Sequence, residues 1–213
     1  MILASPALDA FTERARRHLR RDPPGLLDPR SDPKGDHALD EMKILPNGEP
    51  KAAAVLVPVV AHPGETTVLL TQRATGLRAH SGQIAFPGGR LDPDDTSPLA
   101  AALREAEEEI GLAADHIRPL GYLDAYLSGT GYLVTPTVAL VAPGAPLTLN
   151  PDEVTETFEV PLGFLMDPAR HEIHSREWNG RLRRYYAIPF GDRYIWGVTA
   201  GIIRNLYERL YGT

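Results

Sequence analysis

Residues 104–112 read Arg104-Glu105-Ala106-Glu107-Glu108-Glu109-Ile110-Gly111-Leu112. The first seven of them form the second half of a helix that the pattern predicts over 98–110. Gly111 follows the last helical position, as a C-terminal glycine cap does. At about 100° per residue, one apolar stripe of this helix is expected to face the core. Its members are Leu99, Leu103, Ala106 and Ile110. A second arc is acidic and consists of Glu105, Glu108 and Glu109, whereas Glu107 points away from it.

The acidic arc predicts a cation site. Like charges three or four positions apart repel by a few tenths of a kcal/mol per pair when solvated, so a positive group is expected among them. Hard divalent ions prefer ligands that are all oxygen. The alternative is an ordinary solvated surface. The turn Phe86-Pro87-Gly88-Gly89 favours the cation site, because its glycines let main-chain atoms approach an ion or a phosphate. Arg104 can fix a neighbouring carboxylate through a bidentate contact.

Residues 104–112 resemble the core of the Nudix box, with each of its defined positions filled. The resemblance implies an α/β protein with the Nudix-type α/β/α sandwich around a mixed β-sheet. It also implies an enzyme that hydrolyses nucleoside diphosphates linked to another group, with Mg²⁺ or Mn²⁺ as cofactor. The implied metal ligands are Glu105, Glu108, Glu109 and the carbonyl of Gly88, and Arg104 would orient the glutamates. In the first half of the box the loop is one residue longer than in the family pattern, and Asp95 replaces a glutamate.

A second motif lies just upstream and resembles the one that marks the coenzyme A pyrophosphatase branch of the Nudix hydrolases. It comprises Leu69-Leu70-Thr71-Gln72-Arg73-Ala74, then Arg78, Gly82 and Phe86-Pro87-Gly88-Gly89. The resemblance implies a small-molecule substrate, coenzyme A or an acyl derivative, cut at its pyrophosphate to 3′,5′-ADP and 4′-phosphopantetheine. Two alternatives stay open. One is hydrolysis of another nucleoside diphosphate derivative such as ADP-ribose, and the other is a Nudix domain that senses a nucleotide without cutting it.

The remaining site residues follow from position. Arg73 and Arg78 lie close in sequence to the glycine turn, and at least one is expected to bind a phosphate of the substrate. The alternative for either is a structural ion pair. Gly82 is expected to permit a close backbone turn beside them. Nudix enzymes often take a general base from a loop after the box; here Glu153 is the first choice and Glu156 the second, against the alternative of solvated loop acids.

Composition limits the class of protein. The chain has 213 residues, 22 basic against 28 acidic, and a net charge of −6, which is the wrong sign for a protein that binds nucleic-acid phosphates. It has no cysteine, and its only sizeable apolar run, 52–61, is far shorter than the roughly 20 residues of a membrane helix. We therefore expect a cytoplasmic protein without nucleic-acid or membrane partners. The resemblance also implies a homodimer, since Nudix proteins are often dimers.

The pattern along the chain predicts two parts. Residues 1–50 are expected to form an N-terminal helix over 7–21 and an irregular connector rich in proline and glycine, packed on or flanking the domain. Residues 51–213 are expected to form the Nudix hydrolase domain. Its strands are predicted at 52–60, 66–71, 83–86, 117–126, 132–141, 171–177 and 182–188, and its last helix at 196–210. The segment 128–131 is expected to be a plain hairpin connection.

Overall fold

The computed structural model describes residues 6–24, 33–40, 48–76, 81–178 and 180–212. Its helices are α1 (Pro6–His18), α2 (Pro98–Ile110), α3 (Leu162–Leu165) and α4 (Val198–Tyr211). The first strands are β1 (Lys51–Ala61), β2 (Thr66–Arg73), β3 (Ile84–Ala85), β4 (Gly88–Arg90), β5 (Ile117–Tyr122) and β6 (Tyr126–Leu127). The later strands are β7 (Tyr132–Val141), β8 (Val154–Pro161), β9 (Glu172–Trp178), β10 (Arg181–Phe190) and β11 (Arg193–Trp196).

The main sheet is mixed and has eight strands within the described residues. Its central path runs β3-β2-β1-β7-β5, with β4 on β1, β6 on β7 and β8 on β2. Strands β1 and β7 are parallel, and the other pairs in this sheet are antiparallel. A smaller antiparallel sheet has the order β11-β10-β9. The mixed sheet predicted from the sequence is confirmed.

Alternating side chains of β1 and β2 divide the core into two layers, because successive residues of a strand point to opposite faces. One layer packs α2 against Ala54, Leu56 and Leu69. The other layer packs α1, α4 and the smaller sheet against Val57, Leu70 and their neighbours. The main sheet therefore lies between α2 on one side and α1 with α4 on the other, which is the expected α/β/α arrangement.

Helix α2 turns a face to the sheet that differs from the predicted stripe. Its apolar side chains buried against the strands are Ala101, Ala102, Ala106 and Ile110, and Leu99 and Leu103 are only half-buried. The prediction of a leucine stripe in the core was wrong at those two positions. Alanine side chains are short, so the helix approaches β1 closely and the longer leucines lie at the side of the contact.

Other differences have local causes. The strand predicted over 117–126 is interrupted: β5 ends at Tyr122, after a register shift at Gly121, whose φ is 150°. Strands β8 and β11 were not predicted. Four of the eight residues of β8 are threonine or glutamate, and its buried and exposed positions do not alternate, so it lacks the pattern that identifies a strand. The last helix starts at Val198, two residues later than predicted, because Gly197 has a φ of 61°. The hairpin connection at 128–131 is confirmed by the pairing of β6 with β7.

The N-terminal part contacts the rest of the chain. Helix α1 ends at His18, earlier than predicted, and buries Leu8, Phe11 and Ala15 in the core layer that also contains α4. In the connector, a short 3₁₀ helix over Asp36–Leu39 replaces part of the irregular segment that was predicted. The Tyr126 hydroxyl donates to the Asp36 carboxylate at 2.7 Å. The division of the chain at residue 50 stays a prediction. None of the described helices is long and apolar enough to cross a membrane.

Candidate active site

Helix α2 is fixed at both ends by its own sequence. The Ser97 hydroxyl accepts from the Ala100 amide at 3.1 Å, and Pro98 occupies the first turn, where its missing N–H costs nothing. At the other end Gly111 adopts the left-handed conformation, and its amide donates to the Glu107 carbonyl at 2.9 Å. These caps set where the helix begins and ends, and so set which way its glutamates face.

The glycine turn lies directly beside the acidic arc. Gly88 has a φ of 152°, and a Cβ at this position would collide with the backbone of β1 at Ala54 and Val55. A Cβ on Gly89 would collide with the Glu105 carboxylate. The Gly88 amide donates to the Glu109 carboxylate at 3.1 Å. Two glutamates of the arc therefore approach a main chain that only glycine allows.

Arg104 binds several carboxylates at once. It donates through Nε and Nη2 to the two oxygens of Asp95, at 3.2 and 2.9 Å. Its Nη1 donates to Glu105 at 3.0 Å and to Glu108 at 2.9 Å. The structure thus places Arg104 where it orients the helix glutamates, and it gives Asp95 a clear function. Asp95 is the bidentate partner of Arg104, and this contact holds the lengthened loop against α2.

Glu109 is the most enclosed of the acidic side chains, at 2% exposed. Burial raises its pKa to about 7, although the Gly88 amide and the Arg73 charge both lower it, and the charges of Glu105 and Glu153 raise it further. The Arg73 guanidinium donates from Nη1 to Glu109 at 3.0 Å. The ion pair is the alternative considered for Arg73 from the sequence. A phosphate contact by Arg73 stays a prediction, and its buried Nε has no hydrogen-bond partner among the described residues.

Glu153 reaches the same region through a loop fastened to the end of α2. The Asn150 amide donates to the Glu109 carbonyl at 2.9 Å, and the Asn150 side chain donates to the Glu153 carboxylate at 3.1 Å. The Glu153 carbonyl accepts from the Ala74 amide at 2.8 Å. The Glu153 charge is close enough to raise the pKa of both Glu105 and Glu109. Asn150 is a positioning residue that the sequence analysis missed, since nothing in a lone asparagine indicates this contact.

Glu105, Glu109 and Glu153 therefore lie near one another beside the glycine turn, and Glu108 is joined to Glu105 through their shared contact with Arg104. Among the described side chains, no three acidic or histidine groups are already gathered as a set that could hold a metal ion. The reason is visible, because Arg104 holds Glu105 and Glu108 while Arg73 holds Glu109. The donor chemistry nevertheless fits a divalent cation. Burial is the largest cause of the raised pKa of Glu105 and of Glu109, and it outweighs the opposite effect of the two arginines. A divalent cation would supply the positive charge that these buried carboxylates lack.

The other residues singled out in the sequence lie elsewhere. Glu156 is on β8 and forms a two-point ion pair with Arg193, at 2.7 and 3.1 Å, so the structure does not bring it to the acidic arc. Gly82 has a φ of 67°, in keeping with a close turn, and its carbonyl accepts from the Gln72 side chain. Its role toward a substrate stays a prediction. Arg78 lies outside the described residues.

The raised pKa of Glu109 predicts how stability depends on pH in the absence of metal. The folded state holds this proton up to about pH 7, whereas the unfolded chain releases it near 4.5. Its contribution to stability is therefore complete below about pH 4.5 and is lost as the pH rises through 7. Between pH 5 and pH 8 we expect the free energy of unfolding of the wild type to fall by roughly 2–3 kcal/mol more than that of Glu109→Gln.

Urea unfolding of protein treated with a chelator, at pH 5 and pH 8, measures this difference. The matched control is Glu108→Gln on the same helix, because the Glu108 side chain is 55% exposed. The free energy of unfolding of this variant should change between pH 5 and pH 8 as it does in the wild type. The same pH dependence in Glu109→Gln as in wild type would contradict the raised pKa.

The chain is similar to known proteins over most of its length. A family model described as the NUDIX domain matches residues 50–179. A Yersinia pestis protein named as an uncharacterized Nudix hydrolase, NudL, is 44% identical over 160 residues, which are 75% of this chain and 80% of the relative. NudL of Yersinia pseudotuberculosis gives the same values.

Solved Nudix structures also match in part. The Nudix hydrolase RenU of M. smegmatis is 29% identical with a TM-score of 0.46, covering 56% of this chain and 76% of its own. A Nudix hydrolase of Alicyclobacillus acidocaldarius is 18% identical with a TM-score of 0.47, covering 76% and 93%. The family model covers more than half of the chain and includes the whole of α2, the glycine turn and Glu153. On that match and the identity to NudL, the chain belongs to the Nudix hydrolase family.

Proposed function

We propose that this Nudix hydrolase cleaves the pyrophosphate of coenzyme A or of its acyl derivatives, giving 3′,5′-ADP and 4′-phosphopantetheine or its acyl form. The upstream motif over 69–89 supports the choice of substrate. The observation that carries the chemistry is that Glu105, Glu109 and Glu153 lie near one another beside the glycine turn, and that burial raises the pKa of Glu105 and of Glu109. We further propose that the protein acts in the cytoplasm.

Glu105, Glu108 and Glu109 would hold Mg²⁺ or Mn²⁺, together with the carbonyl of Gly88. The bound cations would neutralise the phosphoryl oxygens and lower the pKa of a water molecule. Arg104 and Arg73 act as positioning residues, because each already holds carboxylates of the set. Arg104 and Arg73 would keep the glutamates oriented toward a bound cation through these contacts.

Glu153 is the proposed general base. Its carboxylate takes the proton of the attacking water, and its place is set by Asn150 and by the backbone contact to Ala74. Arg78 is proposed to contact a phosphate of the substrate.

Turnover of purified protein with Mg²⁺ or Mn²⁺ tests the choice of substrate. We expect kcat/KM for coenzyme A to exceed that for ADP-ribose by at least about tenfold, which requires only ~1.4 kcal/mol of differential transition-state binding. The products should be separable as 3′,5′-ADP and 4′-phosphopantetheine. Comparable values for the two substrates would assign the chain to another Nudix activity, and binding without turnover of either would indicate a nucleotide sensor.

A further inference from the structure

A cavity of about 400 Å³ opens between β11 and the end of β2, away from the acidic arc. Its lining includes Gln72, Gly82, Glu156, Arg193, Tyr194 and Trp196. We propose that this cavity binds the purine base of the nucleotide substrate. The inference rests on the proposed function, because in coenzyme A that base is the adenine.

The aromatic wall of the cavity is firmly held. The rings of Tyr194 and Trp196 are stacked, with centroids 6.5 Å apart and an interplanar angle of 27°. Tyr185 packs edge-on against Trp196 at 5.3 Å, and His174 is hydrogen-bonded to the Tyr194 hydroxyl at 2.7 Å. Tyr194 is still 40% exposed. The wall thus offers a rigid aromatic surface of the kind on which a base can stack.

The charges of the cavity oppose a phosphate. Arg193 is the one cation among the described residues that line the cavity, and both of its guanidinium Nη atoms donate to the Glu156 carboxylate. The same guanidinium lies 3.8 Å from the Phe158 ring centroid. Asp192 adds a second negative charge to the lining. A neutral ring is therefore a better occupant than a phosphate or a pyrophosphate, which would meet a net negative wall.

Gln72 provides hydrogen bonding at the base of the cavity. Its Nε2 donates to the Gly82 carbonyl, so its amide is turned with Oε1 as the remaining acceptor. An acceptor next to two carboxylates suits a ring that carries an exocyclic amino group, as adenine does. An aliphatic amide arm such as pantetheine would have no use for the aromatic wall.

Strand β2 connects the cavity to the acidic arc, because it contributes one residue to each. Gln72 precedes Arg73, which contacts Glu109 at 3.0 Å, and consecutive Cα atoms are about 3.8 Å apart. The register of β2 shifts between these two residues, and their contacts differ: Gln72 lines the cavity beside β11, whereas Arg73 contacts α2 at the end of the strand. The base and the pyrophosphate of one nucleotide would therefore lie on the two sides of the end of this strand.

Tryptophan fluorescence tests the proposal. The chain has two tryptophans, Trp178 and Trp196, so Trp178→Phe leaves Trp196 as the only reporter. We expect adenosine 3′,5′-bisphosphate to quench this emission with a saturable curve. Ribose 5-phosphate and 4′-phosphopantetheine, which lack a base, should not. In this background Tyr194→Ala should raise the Kd about 5- to 100-fold, as expected for loss of one stacked base, whereas Tyr194→Phe should restore binding.

Quenching by ribose 5-phosphate or 4′-phosphopantetheine, or an unchanged Kd in Tyr194→Ala, would overturn the base site. The result is independent of hydrolysis. If coenzyme A is not cleaved but adenosine 3′,5′-bisphosphate still quenches Trp196 through Tyr194, the proposed function fails and the cavity assignment stands. If coenzyme A is cleaved with the same KM in Tyr194→Ala and no quenching occurs, the cavity assignment fails alone.

Discussion

Glu109→Gln is expected to lower kcat/KM for metal-dependent hydrolysis by at least about 10³-fold while leaving the fold intact. Loss of one preorganised charge-stabilising group typically costs 10²–10³ in rate, and Glu109 is in addition a proposed metal ligand. The amide has one acceptor oxygen in place of the two that accept separately from Arg73 and from the Gly88 amide, so it loses one of these hydrogen bonds. Its size is nearly that of the carboxylate, so the local packing survives. What it cannot do is supply a negative ligand to a cation.

Steady-state kinetics with coenzyme A and saturating Mg²⁺ or Mn²⁺ measure this loss. Glu107→Gln is the matched control, because Glu107 lies on the same helix, is exposed and faces away from the arc. Its kcat/KM should stay near the wild-type value. Unchanged turnover in Glu109→Gln, with circular dichroism showing both variants folded, would refute the metal assignment for this residue.

Glu153→Gln is expected to reduce kcat by 10²–10⁴-fold, the usual contribution of a general base, with little change in KM. The glutamine keeps the hydrogen bond from Asn150 and the backbone contact to Ala74. It removes only the ability to take a proton from water.

The controls for Glu153 lie in the same segment. Asp152→Asn changes an exposed neighbour and should leave kcat unchanged. Glu156→Gln should alter KM more than kcat, because Glu156 pairs with Arg193 beside the cavity and not with the acidic arc. A large loss of kcat in Glu156→Gln together with normal kcat in Glu153→Gln would transfer the role of the base to Glu156.

The sequence predicted α2 well because its signals are local. The predicted bounds of 98–110 agree with the structure, Gly111 marks the end, and the spacing of the glutamates places three of them on one arc. Strands β1 and β7 were equally accessible, since their β-branched runs are long and their bounds agree with the structure within a residue or two. Such patterns depend on neighbours in the chain and need no tertiary information. The mixed sheet was expected from the resemblance to the Nudix family.

The contacts that the sequence could not provide join distant segments. Arg73 and Glu109 are 36 positions apart, and no spacing rule connects them. Asn150 contacts Glu153 only because the loop before β8 is fastened to the end of α2. Strand β8 itself was missed because half of its residues are polar and its buried and exposed positions do not alternate. Asp95 departs from the pattern of the Nudix box, and only the structure shows that its carboxylate binds Arg104.

A titration of Mn²⁺ followed by electron paramagnetic resonance tests the acidic site most directly, because only unbound Mn²⁺ gives the sharp solution signal. The probe is Mn²⁺ with adenosine 3′,5′-bisphosphate, added to wild type and to a Glu105→Gln, Glu108→Gln, Glu109→Gln triple variant. We predict that wild type removes the signal of free Mn²⁺ and that the triple variant does not. Equal removal of the signal by both proteins would show that cations bind elsewhere and would contradict the account.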